Sequence, residues 1–379
     1  MKRFSPHIQN FDGVLFLSLI PILLAGLATM DSFASNNYFF DRQIIWIIIS
    51  VIIMFIAAQI DWRFLRRPFI VAALYAISSA VLLTLFIFGS ISRGAQSWFS
   101  LGLFAIQPAD LAKLILIITL AKYFSRRHVE IAHYKHILIS AVYALIFFGL
   151  VAMQPDFGSA VIIFALWLGM TLVSGLSRKH LAIILSLGIF CVAMLWLFVF
   201  APYQKARILT FIDPARDIRG SGYNAFQSMV AVGSGELIGK GAGYGTQSRL
   251  KFLPEYQTDF IFAAFAEEWG FVGALLMFIF FGLVILRILT LAASGATNFE
   301  TFFAFGVAIM FVSHFVINVG MNIGLLPVTG IPLPFMSYGG SHLVNEFLAL
   351  GMLMGMRRYS KAAHSSDSSQ ELLGVGEFA

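Results

Sequence analysis

The chain has 379 residues, of which 59% are hydrophobic, 15% aromatic and only 12% charged, with a net charge of +6. A soluble domain carries about 25% charged residues, so a mean hydropathy of +0.86 excludes a soluble enzyme and defines a polytopic membrane protein. The positive charge does not mark a nucleic-acid binder, because it sits in the loops between apolar blocks, where membrane topology accounts for it.

A spanning helix needs about 20 apolar residues. Ten blocks of that kind follow one another: 13–30, 42–60, 69–89, 108–124, 137–153, 157–174, 181–201, 259–290, 300–326 and 342–357. The expected fold is an all-α integral membrane protein of about ten transmembrane helices, with a large external loop, 202–258, between the seventh and eighth. The first block has no clean small-x-small cleavage site and reads as a span, not a signal peptide. The membrane domain covers residues 1–359. The Ser-rich stretch 360–379 reads as a disordered tail. The single cysteine, Cys191, excludes a disulfide framework or a cysteine metal site.

Lysine and arginine set the orientation. With a cytoplasmic N-terminus, fifteen basic residues fall in cytoplasmic segments, whereas the short external loops carry only Arg42 and Arg93. Both termini are then cytoplasmic. Loop 202–258 breaks the pattern with seven basic residues, among them Arg207, Lys240, Arg249 and Lys251. Long loops cross regardless of charge. A basic external surface suits an anionic substrate or lipid headgroups.

Asp110 and Lys113, at i,i+3 in the fourth block, share one helix face. They either line a substrate cavity or lock two helices. The run 233–245 is glycine-rich, yet Gly241 follows Lys240 where a Walker loop needs Ser or Thr. It reads as a flexible loop whose amides could still approach a pyrophosphate. In Lys251-Phe-Leu-Pro-Glu-Tyr-Gln-Thr-Asp259-Phe260, a carboxylate stands where the polar loop meets an apolar helix. Asp259 is a general base at the mouth of an external cavity, or else Asp259 or Thr258 caps the helix. Glu267 and Glu268 lie two turns further in, where charge is costly unless paired or wet, so they read as structural hydrogen-bonding groups. His314 and His342 sit in apolar helices without metal-ligand spacing. The segment from Pro327 to Ser341 holds three prolines and cannot continue as a helix. It must fold back within protein or line a cavity, near Asp259. No internal repeat is evident, which counts against an inverted-repeat transporter.

These blocks resemble the signatures of the SEDS family (shape, elongation, division, sporulation): Gly94-Ala-Gln-Ser-Trp98, Gln107-Pro-Ala-Asp-Leu-Ala-Lys113, Gln154-Pro-Asp-Phe-Gly158, Phe211-Ile-Asp-Pro214, Gly222-Tyr-Asn-Ala-Phe-Gln-Ser228, the 252–260 block, Glu267-Glu-Trp-Gly270, and Asn318 through Ser341. The resemblance covers nearly the whole chain, and its short tails look more like elongation than division members. Asp110 stands where the family usually has Glu, and Ser97 where it has Arg.

The resemblance implies a bacterial peptidoglycan glycosyltransferase that polymerises lipid II at the outer face of the cytoplasmic membrane during elongation. The growing undecaprenyl-pyrophosphate-linked glycan would be donor and Asp259 the general base. Asp110, Lys113, Glu255 and Ser337 fall in the substrate-binding blocks. Charge for the leaving diphosphate would come from Lys113, Arg207, Lys240, Arg249 or Lys251, or from Mg2+ or Mn2+ shared with carboxylates. The partners implied are a class B penicillin-binding protein and other elongation-complex membrane proteins. The alternatives are a lipid II flippase and a division-type polymerase. A transporter concentrates polar groups at the midplane, whereas here they concentrate at the outer face.

Overall fold

The computed structural model describes residues 12–32, 38–92, 95–100, 105–126, 134–198, 205, 209, 211, 222–250 and 252–372. Seven long helices come first: α1 (Gly13–Asp31), α2 (Tyr38–Gln59), α3 (Pro68–Phe88), α4 (Pro108–Ser125), α5 (Tyr134–Ala152), α6 (Phe157–Val173) and α7 (Arg178–Phe198). The shorter α8 (Tyr223–Ser234) and α9 (Thr246–Arg249) follow, then α10 (Ile261–Ala293), α11 (Asn298–Asn322) and α12 (Gly340–Leu372). The ten long helices answer the ten expected blocks one for one. Among the described residues, six are long and apolar enough by themselves to cross a membrane, and α6 is a shorter apolar helix. The protein is a multi-pass membrane protein.

Local chemistry sets the helix ends. Asp12 accepts from the Leu15 amide at 3.1 Å and caps α1. Asp156 does the same for α6 through Ser159. Proline opens α3 and α4, where a missing N–H costs nothing. Helix α11 stops at Asn322 because Gly324, at φ +77°, turns the chain. The amides of Leu325 and Leu326 then donate back to the Gly320 carbonyl.

Helices α4 and α11 form the centre. Nearly every residue of α4 from Pro108 to Ala121 is buried. Around them α2 packs on α12, α1 on α10, α3 on α4, and α5 on α6. Helix α7 is peripheral and leaves Ile183, Leu187, Ile189 and Phe198 exposed, a face suited to lipid. At the end of the bundle opposite Asp259, the Asp12 carboxylate takes Arg287 at 2.8 Å and Arg357 at 2.7 Å. Burial alone would raise this carboxyl, but the bonds from Arg287 and the Leu15 amide, with both guanidinium charges, hold it below its ordinary value.

Three features depart from the sequence reading. The loop between α3 and α4 is a small antiparallel sheet of β1 (Ser90–Ser92), β2 (Ala95–Ser100) and β3 (Ala105–Ile106), in that order. The fold class is as expected, with this small sheet added in one loop; strands this short carry almost no periodic signal. Helix α12 runs to Leu372, into the stretch read as a tail, since extending a helix already nucleated by buried turns costs little. The third departure is a break in α10, at Gly270.

Gly270 has φ +64° and ψ −165°, a conformation open to glycine. The break frees the Glu267 and Glu268 carbonyls and the Phe271 and Val272 amides. The glycine-rich run fills it. The amides of Lys240 and Gly241 donate to those carbonyls at 3.0 and 2.9 Å, and the two freed amides donate to the Glu236 and Leu237 carbonyls at 2.9 and 3.0 Å. Contact is so close that a Cβ on Gly239 would stand 2.0 Å from the Glu268 oxygen. The run is thus a backbone splice, not a flexible loop, and four of its groups are used up in pairing.

Candidate active site

Asp259 lies in the turn 253–260, which the backbone builds first. Glu255 takes φ +57°, and its carbonyl accepts from the amides of Thr258 and Phe260 at 3.1 and 3.3 Å. The cap position of α10 falls on Phe260 and makes no side-chain cap bond. The Thr258 hydroxyl turns back to Glu255, and Asp259 stands one residue before the cap position. Burial raises the phenol of Tyr256 in the same turn.

Helix α11 holds this turn from below. The side-chain amides of Asn318 and Asn322 donate to the Asp259 carbonyl at 3.0 and 3.1 Å. Asn318 also donates to the Ile331 carbonyl at 2.7 Å, and Asn322 accepts from the Ala263 amide at 3.3 Å. The two asparagines fix the backbone on both sides of the carboxylate. Asp259 itself is half-buried. It leans toward the Gly330 turn: a Cβ on Gly330 would stand 3.5 Å from its Oδ2.

The proline-broken segment, 323–339, closes the other side, as expected. Ser337 Oγ donates to the Thr258 carbonyl at 2.6 Å and accepts from the Leu333 amide at 2.8 Å. The Tyr338 amide donates to the Gln257 carbonyl at 2.8 Å. The segment is buried against α1, α2 and α6: Gln43 donates to the Ser337 carbonyl at 3.1 Å, and a Cβ on Gly158 would stand 2.8 Å from the Thr329 oxygen. Burial raises the Tyr338 phenol, with Tyr38 adding to it, against the lowering pull of Arg42.

Asp110 and Lys113 form the expected ion pair at 2.9 Å, both side chains 4% exposed. The pair faces α12, where His342 Nδ1 lies 3.4 Å from Asp110, so of the two open readings the geometry supports the lock between helices. Lys240 is 2.7 Å from Glu267, whose carboxylate also takes the Thr246 hydroxyl and the Gln247 amide. Glu268 accepts from the Gly243 amide. Both glutamates are structural, as read from the sequence. Glu255 accepts the Thr258 hydroxyl at 3.3 Å, Ser337 is spent on backbone, and Arg249 is exposed at the end of α9. Arg207 and Lys251 lie outside the described residues. Among the described residues no group of three or more His, Cys, Asp or Glu is arranged to hold a metal ion.

The sequence reading missed Asn318 and Asn322 as the clamp. The signal was present, since two amides at i,i+4 share one face of an otherwise apolar helix and must find partners there.

A multi-pass bundle with a carboxylate held at one end by buried amides and a folded segment has the form of a membrane enzyme whose candidate site lies at the bundle's end. The sequence profile of the cell cycle protein family, which groups FtsW, RodA and SpoVE, matches residues 9–362. The chain is similar to peptidoglycan glycosyltransferase MrdB of Escherichia coli K12, 35% identical over 96% of this chain and 98% of that one. It is likewise similar to stage V sporulation protein E of Bacillus subtilis, 35% identical over 95% and 99%. Among solved structures, a chain of a peptidoglycan synthase complex coordinating polymerization and crosslinking superposes with a TM-score of 0.80 at 29% identity, covering 92% of this chain and 98% of that one. Rod shape determining protein RodA of Thermus thermophilus gives 0.70 at 28%, covering 93% and 98%. The chain belongs to the SEDS family.

Proposed function

We propose that this protein is an inverting peptidoglycan glycosyltransferase of the elongation type, which polymerises lipid II at the outer face of the bacterial cytoplasmic membrane, with both termini cytoplasmic. The observation that carries this reading is the half-buried Asp259 carboxylate, its backbone clamped by Asn318, Asn322 and the 323–339 segment. Family membership and the names of its relatives support the reaction class.

The acceptor is the GlcNAc 4-hydroxyl of lipid II. Its oxygen attacks C1 of the terminal sugar of the growing glycan, the C1–O bond to the diphosphate breaks, and the configuration inverts. The hydroxyl proton passes to the Asp259 carboxylate. A sugar hydroxyl is far less acidic than a carboxylic acid, so the proton moves late, as undecaprenyl diphosphate departs. Such a base contributes about 10²–10⁴-fold. Of the cations with described surroundings, Lys113 and Lys240 are already paired with carboxylates. Exposed Arg249 is our candidate for meeting the leaving diphosphate. A class B penicillin-binding protein is the proposed partner, supported by the similar chain from a synthase complex.

The test is to incubate the purified protein and its partner with lipid II. Wild type makes glycan strands; Asp259→Asn loses about 10²–10⁴-fold of that activity while still folding and binding the partner. Full activity in the Asn variant overturns the base assignment. Lipid translocation without polymerisation would indicate a transporter.

A further inference from the structure

His314 and His342, far apart in sequence, come together in the bundle with ring centroids 4.9 Å apart. His342 is the middle of a buried chain of ionisable groups. Its Nδ1 lies 3.4 Å from the Asp110 carboxylate, which holds Lys113, and its Nε2 lies 3.0 Å from Glu346 Oε1. The other Glu346 oxygen accepts from the Phe335 amide at 3.0 Å. Phe335 has φ +61°, a left-handed conformation that costs a side-chain-bearing residue about 1–3 kcal/mol and persists only where its surroundings impose it.

The Phe335 turn lies between Leu333 and Ser337, just before the two residues that hold the loop of the proposed base. On one side the Leu333 amide binds Ser337 Oγ, and on the other Ser337 and Tyr338 bind the carbonyl of Thr258 and that of Gln257. A carboxylate buried to 2% exposure is expensive at membrane depth. One oxygen of this one takes the Phe335 amide, in the left-handed turn that leads into that clamp.

We propose that Glu346, oriented by His342 and through it by the Asp110–Lys113 pair, is a positioning residue for Asp259. It holds the Phe335 turn, the turn sets the Ser337–Tyr338 clamp, and the clamp sets the loop that carries the base. The inference rests on the polymerase reading for its kinetic consequence only. A misplacement of about 1 Å at a reacting group can cost about 100-fold in rate.

The test compares Glu346→Leu and Glu346→Gln in the full chain with its partner. Gln keeps an oxygen to accept the Phe335 amide, whereas Leu does not. The expected result for Glu346→Leu is a fall in kcat of about tenfold or more with the lipid II KM little changed, and recovery of most of that loss in Glu346→Gln. Hydrogen–deuterium exchange supplies a readout independent of activity. Glu346→Leu should lose protection in 333–338 and in 253–260 while α4 and α11 stay protected. Protection unchanged in both segments overturns the proposal, as does a loss confined to KM. If wild type itself makes no glycan, the polymerase reading fails, and the exchange comparison still decides the positioning role. If Glu346→Leu does not fold, His342→Gln takes its place, with the same two segments read.

Discussion

The turn carrying Asp259 and the break at Gly270 are neighbours in sequence, and both are irregular backbone next to carboxylates in an apolar bundle. They solve the same problem in opposite ways. At the break, backbone pairs with backbone: the 236–241 run supplies two carbonyls and two amides to the four groups the kink frees. Beside it Glu267 is fully buried and spent on a loop amide, a hydroxyl and Lys240, and Glu268, equally buried, takes a loop amide on one oxygen. At the turn, side chains hold backbone: Asn318, Asn322 and Ser337 take main-chain carbonyls, and the Asp259 carboxylate stays half-buried. One region uses its acids to close a structure. The other spends neutral amides and a hydroxyl on the backbone around its acid, the base in our proposal.

That contrast fixes what substitution should do in each place. Asp259→Asn should cost about 10²–10⁴-fold in glycan synthesis with little change in thermal midpoint. Glu267→Ala should do the reverse in order of cause. Removing one partner of a buried ion pair costs about 3–5 kcal/mol, so the midpoint should fall first and activity only in proportion to folded protein. A Glu267→Ala protein of wild-type stability that makes no glycan would erase the distinction, because it would put Glu267 among the catalytic groups.

Much of this was legible in the sequence, for physical reasons. Ten apolar blocks of spanning length could be counted because lipid tolerates little else. Asp259 stood out through the resemblance of its 252–260 block, since Asp12 and Asp156 also stand at loop–helix junctions and there cap helices. The Asp110–Lys113 pair followed from spacing on one helix face. The splice at Gly270 could not be read. Its pairing is between main-chain groups of distant segments, and Glu-Trp-Gly looks like any stretch of a continuous helix. The short sheet between α3 and α4 was illegible for a similar reason, since its longest strand has six residues. The meeting of His342 with Asp110 and Glu346 is a tertiary event; sequence distance alone had scattered the histidines.

The asparagine clamp tests the other side of the contrast. Asn322→Ala removes the donor to the Asp259 and Asn318 carbonyls and the acceptor for the Ala263 amide. Leaving buried groups unpaired costs about 1–3 kcal/mol, so the thermal midpoint should fall by less than in Glu267→Ala. Polymerisation per folded molecule should also fall, because the loop carrying the base is less fixed. A stability loss with unchanged turnover per folded molecule would show that the clamp serves folding alone.

The smallest expected effect lies at the far end of the bundle, where Asp12 holds Arg287 and Arg357. Its folded-state pKa is lowered, whereas in the unfolded chain it sits near about 3.9. A depressed carboxyl contributes stability that is fully present above the unfolded value and is lost as pH falls through the folded one. Thermal midpoints of wild type and Asp12→Asn should therefore differ by a constant amount near neutral pH and converge as pH drops below about 4. Polymerisation per folded molecule at neutral pH should be the same in both. Convergence assigns the clasp to stability alone. Equal midpoints in the two proteins already at neutral pH would mean that the paired charges contribute nothing, and that Asp12 matters only as the cap of α1, where asparagine serves as well.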